Sequence, residues 1–262
     1  MTHWIHLVEV ASEGLVAQLT LNGVDVFTEW AGSQRRLQTK LNPFIVEGSN
    51  HLELALTRMT DDEGAPLDGP ASFTVTLVRG EHGRDPGPEG VFARFTWDEA
   101  AMPVEPGTLT GVWARQFTVP ADRAYGRWSW QDAPATPPNE QDAQELVALV
   151  HALHTALSNR DADAVAAIAT LKHAELARAL DIPVDEIAEG ERDLLGGLFA
   201  DPSWRVAPFD PAQLAAAPCA GGRLVRVTDA QGGPPLVAGT LERPYFMGFL
   251  ATRLQGRWTL VR

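Results

Sequence analysis

The 262 residues are 45% hydrophobic, carry a formal net charge of −13 and include one cysteine, Cys219. A chain this apolar buries a sizeable core, which excludes disorder over most of its length, and a lone cysteine excludes an internal disulfide framework. The acidity argues against nucleic acid as a partner, because counterion release needs clustered Lys and Arg.

The length suits two domains of ordinary size. No run of about eighteen apolar residues marks a membrane span. The first six residues, Met1-Thr-His-Trp-Ile-His6, have neither a basic nor an apolar signal region. A cytoplasmic protein without a membrane partner is therefore expected. Lysine occurs only at Lys40 and Lys172, and Ala is abundant, a composition typical of GC-rich bacterial genomes.

The first half predicts an all-β sandwich or jelly roll. Trp4–Val10 supplies a strand. Val16–Phe27 is a hairpin, because Asn22-Gly23 separates two alternating apolar runs. Gln34–Leu41, His51–Thr57, Ser72–Arg79, Val91–Trp97, Val112–Val119 and Tyr125–Trp130 are further strands, with turns at Asn42-Pro43 and Gly48-Ser49-Asn50. No helix of three turns is expected between residues 14 and 130.

The hydrophobic period then changes. Pro134, Pro137 and Pro138 predict an extended connector over 134–139, between a sandwich at 1–133 and a second domain at 140–262. Asn139 is placed to cap a helix whose Leu146, Val150 and Leu153 share one face. A second helix is expected over 162–180, with Lys172 interrupting its apolar stripe. A third is expected over Val184–Phe199, with Ile187, Leu194 and Leu198 inward. Strands follow at Trp204–Pro208, Arg223–Thr228, Leu236–Leu241, Tyr245–Arg253 and Arg257–Val261. Helices followed by a curved antiparallel sheet make this half α+β.

Two resemblances accompany these patterns. Leu21-Asn22-Gly23-Val24, followed by Pro43 and Gly48-Ser-Asn50-His-Leu52-Glu-Leu54, resembles the corresponding run of galactose-binding-like jelly-roll domains and carries no sugar-binding residue. Ala156-Leu157-Ser-Asn-Arg160-Asp161-Ala-Asp163-Ala-Val165 and Phe249-Leu-Ala-Thr-Arg253-Leu-Gln-Gly256-Arg-Trp258-Thr-Leu260 resemble the nuclear transport factor two-like, or SnoaL-like, cone fold. That resemblance implies an α+β cone over 140–262, and analogy with such cones allows a dimer. Catalytic members use an Asp and a His inside the cone, and neither position has a match here.

Candidate chemistry is sparse. His151 and His154 have i, i+3 spacing without an evident third ligand. Cys219 precedes Gly221-Gly222 without an evident base. Phosphate-loop, dinucleotide, nucleophile-elbow and Cys-x-x-Cys motifs are absent from the sequence, and no cofactor, metal or catalytic residue is assigned. Six of the eight tryptophans lie before residue 134, and Trp128 and Trp130 would share a strand face able to stack on a sugar.

Charge gives the remaining indication. Residues 134–193 hold four Arg/Lys against twelve Asp/Glu, whereas residues 194–262 hold seven against four. Asp185, Glu186, Glu189 and Asp193 fall outside the expected apolar stripe of the third helix. These features favour a non-enzymatic binding protein, such as an immunity or adaptor protein for a basic partner. The alternatives are a small-molecule enzyme or sensor using a cone-shaped cavity, and a carbohydrate-binding module.

Overall fold

Gly14, at φ +65°, turns β1 (Trp4–Glu13) into β2 (Leu15–Leu21). A Cβ there would strike the Pro70 carbonyl. Asn22 and Gly23, at φ +56° and +74°, supply the left-handed pair of a hairpin turn into β3 (Val24–Trp30). The computed structural model describes residues 3–30, 35–61, 63–67, 69–135, 139–240 and 242–262, with only the backbone for 28–30 and 35–36. Gln34, Asp62, Leu241, residues 136–138 of the expected connector and the side chain of Trp30 lie outside the described residues.

The first unit, Met1–Arg127, continues through β4 (Arg35–Lys40), β5 (Gly48–Arg58), β6 (Ser72–Glu81), β7 (Val91–Thr96) and β8 (Thr110–Val119). These strands form two antiparallel sheets, ordered β4-β1-β6-β7 and β3-β2-β5-β8. Period-two alternation gives each strand one inner face. Val8 and Val10 of β1, Leu19 and Leu21 of β2, Leu52, Leu54 and Leu56 of β5, and Phe73, Val75 and Leu77 of β6 are all buried. Each such leucine contributes about 1.5–3 kcal/mol. The sheets also meet through aromatics, with Phe95 stacked on Trp113 at 5.4 Å and Phe92 against Phe117 at 5.3 Å.

Asn50 gives the Gly-x-Asn motif its physical meaning. It is fully buried, yet its Oδ1 accepts from Val46 N–H and Asn22 Nδ2, and its Nδ2 donates to the Val46 and Gly48 carbonyls. The side chain thus substitutes for a neighbouring strand, and no cost of burying an unpaired amide arises.

The second unit, Trp128–Arg262, begins earlier than the expected seam. The expected strand Tyr125–Trp130 is not formed; Ser129–Asp132 is a short 3-10 turn. It is held by Arg223, whose Nη1 donates to the Gln131 and Ala133 carbonyls at 2.6 and 3.3 Å. Then come α1 (Glu140–Ser158), α2 (Ala162–Ile168), α3 (Thr170–Leu180) and α4 (Val184–Phe199). Asn139 and Asp142 cap α1 reciprocally, each side chain accepting the other's backbone N–H at 3.0 Å. The expected helix over 162–180 is two helices broken at Ala169.

Strands β9 (Arg205–Val206), β10 (Ala215–Cys219), β11 (Leu224–Thr228), β12 (Leu236–Gly239), β13 (Pro244–Met247), β14 (Phe249–Leu254) and β15 (Arg257–Leu260) complete the chain. They form antiparallel sheets ordered β10-β11-β14-β15 and β13-β12-β9. The run expected as one strand over Tyr245–Arg253 is divided at Gly248, and its halves join different sheets. Leu146, Val150 and Leu153 of α1 share a buried cluster with Val225, Phe249, Ala251 and Leu260. The chain is therefore a β unit followed by an α+β unit. No helix among the described residues is long and apolar enough to cross a membrane.

His6 makes the first unit sensitive to pH. It is buried, and Tyr125 Oη, which donates to the Trp4 carbonyl, lies 2.9 Å from its Nδ1. Burial, with repulsion from Arg79 and Arg123, lowers its pKa from 6.5 to about 4. Between those values the unfolded chain takes up a proton that the folded unit refuses, so acidification favours unfolding. Lowering the pH from 7 to 5 should cost the first unit about 2 kcal/mol through this residue. Denaturant titrations at both pH values should show that loss, and His6→Gln should remove most of it; an equal loss in the variant would contradict the assignment.

Candidate functional site

α4 is the element on which the sequence-derived partner site stands. Pro183 opens it and accepts from the Glu186 N–H at 3.1 Å. Asp185 and Glu186 occupy its first turn, where the helix dipole favours negative charge. Its inner side is Leu195 and Phe199, both buried, with Phe199 edge-on to Trp204 at 5.1 Å.

A charged clamp fixes one flank. Glu191 receives Lys172 Nζ at 2.7 Å and His173 Nε2 at 2.8 Å, both from α3. Burial alone would raise the Glu191 pKa. Attraction and hydrogen bonds from Lys172 and His173 outweigh burial and hold it below the ordinary carboxylate value. The Tyr245 hydroxyl is pushed up to about 12 by burial and by the Glu191 charge, and stays protonated. Arg192 reaches back to Asp163 of α2 at 2.7 Å. The interruption at Lys172 is thus one half of a helix–helix lock.

This clamp also overturns one expectation. Leu194 does not point inward with Ile187 and Leu198; it is 57% exposed. Counting only apolar residues gave the wrong face, because Glu191, held by Lys172 and His173, occupies the inner flank. The turn of the helix then places Leu195 inside and Leu194 outside.

The outward side carries Asp185, Glu186, Glu189 and Asp193, all exposed. None makes a side-chain hydrogen bond or ion pair among the described residues. Asp185, Glu189 and Asp193 are four residues apart, so like charges stack along one row at a small cost in helix stability. Leu194 is exposed at the edge of this face, and a Cβ added at Gly190, Gly196 or Gly197 would meet nothing within 4 Å. Packing within the protein therefore does not require glycine at these positions.

Trp128 and Trp130 do not form a sugar platform. Trp128 is 0% exposed and Trp130 6%, in the 3-10 segment rather than on a strand. The Arg178 and Arg262 guanidiniums lie 4.3 and 4.9 Å from the Trp128 ring centroid. His151 and His154 do not converge on a shared ligand. His151 Nδ1 lies near Thr155 Oγ1, and His154 Nε2 lies 3.1 Å from the Ala207 carbonyl. Cys219 ends β10, an edge strand.

Comparison with protein-family models, with curated proteins and with solved structures found no match for this chain.

Glycine in an exposed helix interior costs about 0.8–1 kcal/mol relative to alanine. Gly190→Ala should accordingly stabilise the isolated protein by nearly that amount in a denaturant titration. Destabilisation would show that the site is more tightly packed than described.

Proposed function

We propose that this chain is a non-enzymatic binding protein that engages a basic protein partner through the outward face of α4. The observation that carries this reading is the row of unpaired carboxylates, Asp185, Glu186, Glu189 and Asp193, on the exposed face of α4, with the exposed Leu194 at the edge of that face. Interfaces of this kind combine an apolar anchor with complementary charge, which speeds encounter and fixes register. Two of the charges have a local role as well, since Asp185 and Glu186 favour the helix dipole. Glu189 and Asp193 lie beyond the first turn and gain nothing comparable from the helix. A partner's Lys and Arg would relieve their repulsion. The glycines would allow its backbone to approach closely.

The finer fold assignments belong to the same proposal. Two sheets with apolar inner faces support a galactose-binding-like sandwich for the first unit. Helices packed on an antiparallel sheet closed by the β14–β15 hairpin support a cone of the nuclear transport factor two-like type for the second. The single cysteine supports a cytoplasmic setting, where an immunity or adaptor role would be exercised.

The test begins with the immobilised protein and a soluble extract of its own cells, followed by kinetics on the captured partner. Reversal of Glu186 and Glu189 to Lys should slow association about tenfold and leave the melting temperature nearly unchanged. The wild-type rate should fall as salt rises from about 0.15 to 1 M, which shortens the Debye length from about 8 to 3 Å. A captured partner whose association rate ignores both salt and the reversals would overturn the reading.

A further inference from the structure

One end of the first unit departs from the rest of its core. Along the inner columns of β1 and β6, Val8, Val10, Val75 and Leu77 are buried and apolar. Toward the start of β1 the same columns carry His6, which is paired in register with Arg79, and Trp4. Arg123, at the end of the 3-10 turn Ala121–Arg123, joins them. Its Cζ lies 4.2 Å from the Trp4 ring centroid, while the Arg79 Cζ lies 5.8 Å from the rings of both Trp4 and Phe92. Trp4, Arg79 and Arg123 line a concavity of about 380 Å³.

These two arginines are half-buried, unlike the exposed Arg94, Arg115, Arg243 and Arg257. Among the described residues neither guanidinium makes an ion pair or a hydrogen bond, and the Arg123 Nε is buried without an acceptor. Stacking on Trp4 satisfies the π face of Arg123 and leaves its donors unspent. Both charges reach His6, which they help to keep neutral. Two of the carboxylates on the rim are engaged elsewhere. Glu81 pairs with Arg84 at 2.6 Å, and Asp85 accepts from the Gly87 N–H at 3.0 Å. The third, Glu89, is exposed and unpaired among the described residues, and its charge opposes an incoming anion.

We propose that Trp4, Arg79 and Arg123 form a binding site for a small oxyanion, a carboxylate or a phosphate, at this end of the first unit. Two guanidiniums present fork-shaped donors that match the paired oxygens of either group. The concavity lies within the size range of small-molecule sites. The site is separate in the chain from the α4 face, and neither proposal requires the other.

The experiment is isothermal titration of the full-length protein with inorganic phosphate and, separately, with succinate. At least one should bind saturably with a Kd below about 10 mM, and the one that binds tighter names the class. Arg79→Gln and Arg123→Gln should each weaken it at least tenfold. Arg94→Gln, on β7 and away from the concavity, should not, and Glu89→Gln should tighten binding. Should Arg79→Gln fail to fold, Arg123→Gln, on a surface turn, decides alone. Absence of saturable binding by both probes, or binding that Arg123→Gln leaves unchanged, would overturn the proposal.

Discussion

The second unit depends on one buried ion pair. Arg262 Nη1 meets Glu175 Oε2 at 2.6 Å, with both side chains almost wholly removed from water. The other Glu175 oxygen accepts from both the backbone N–H and the hydroxyl of Ser129, at 2.8 and 2.7 Å. Desolvation pulls the Arg262 pKa down, and Glu175 counters it. A buried pair of this kind adds little net stability, yet removing one partner costs about 3–5 kcal/mol because the other charge is stranded. Its consequence is placement: the last residue of the chain, a helix in its middle and the segment after Arg127 are joined at one point.

A second buried carboxylate repeats the device. Asp142 is 2% exposed and closes the cap of α1. Its other oxygen receives Arg253 Nη1 at 3.0 Å and Trp258 Nε1 at 3.1 Å. Acidic groups on the helices thus meet cations from the final strands. The sequence shows the same division, with excess Asp/Glu before residue 194 and excess Arg after it. Asp185, Glu186, Glu189 and Asp193 of α4 take no part in this division and are exposed.

What was legible in the sequence follows from how locally each feature is determined. Asn22-Gly23, the alternation of Leu52, Leu54 and Leu56, and the Asn139 cap were legible because neighbours a few residues away decide them. Trp128 was misread because its packing is set by Arg178 and Arg262, far along the chain. Leu194 was misread because a paired Glu191 replaces an apolar residue on the inner flank. The strand Ala215–Cys219 carried no signal, since alanines and Pro218 have poor strand propensity and edge pairing alone holds them. Of the candidate sites, the acidic face of α4 was legible as charge. The Trp4, Arg79 and Arg123 cluster was not, because β1, β6 and a later turn bring it together.

The central claim is that residues 128–133, clasped by Glu175, Arg262 and Arg223, are part of the second unit and needed for its stability. Fragments 128–262 and 134–262 test it directly by denaturant titration. The longer fragment should unfold cooperatively, and the shorter should be less stable by at least about 3 kcal/mol, since it loses the buried Trp128 and Trp130 and the hydrogen-bond partners of Glu175 and Arg223. Equal stability of the two fragments would contradict the account.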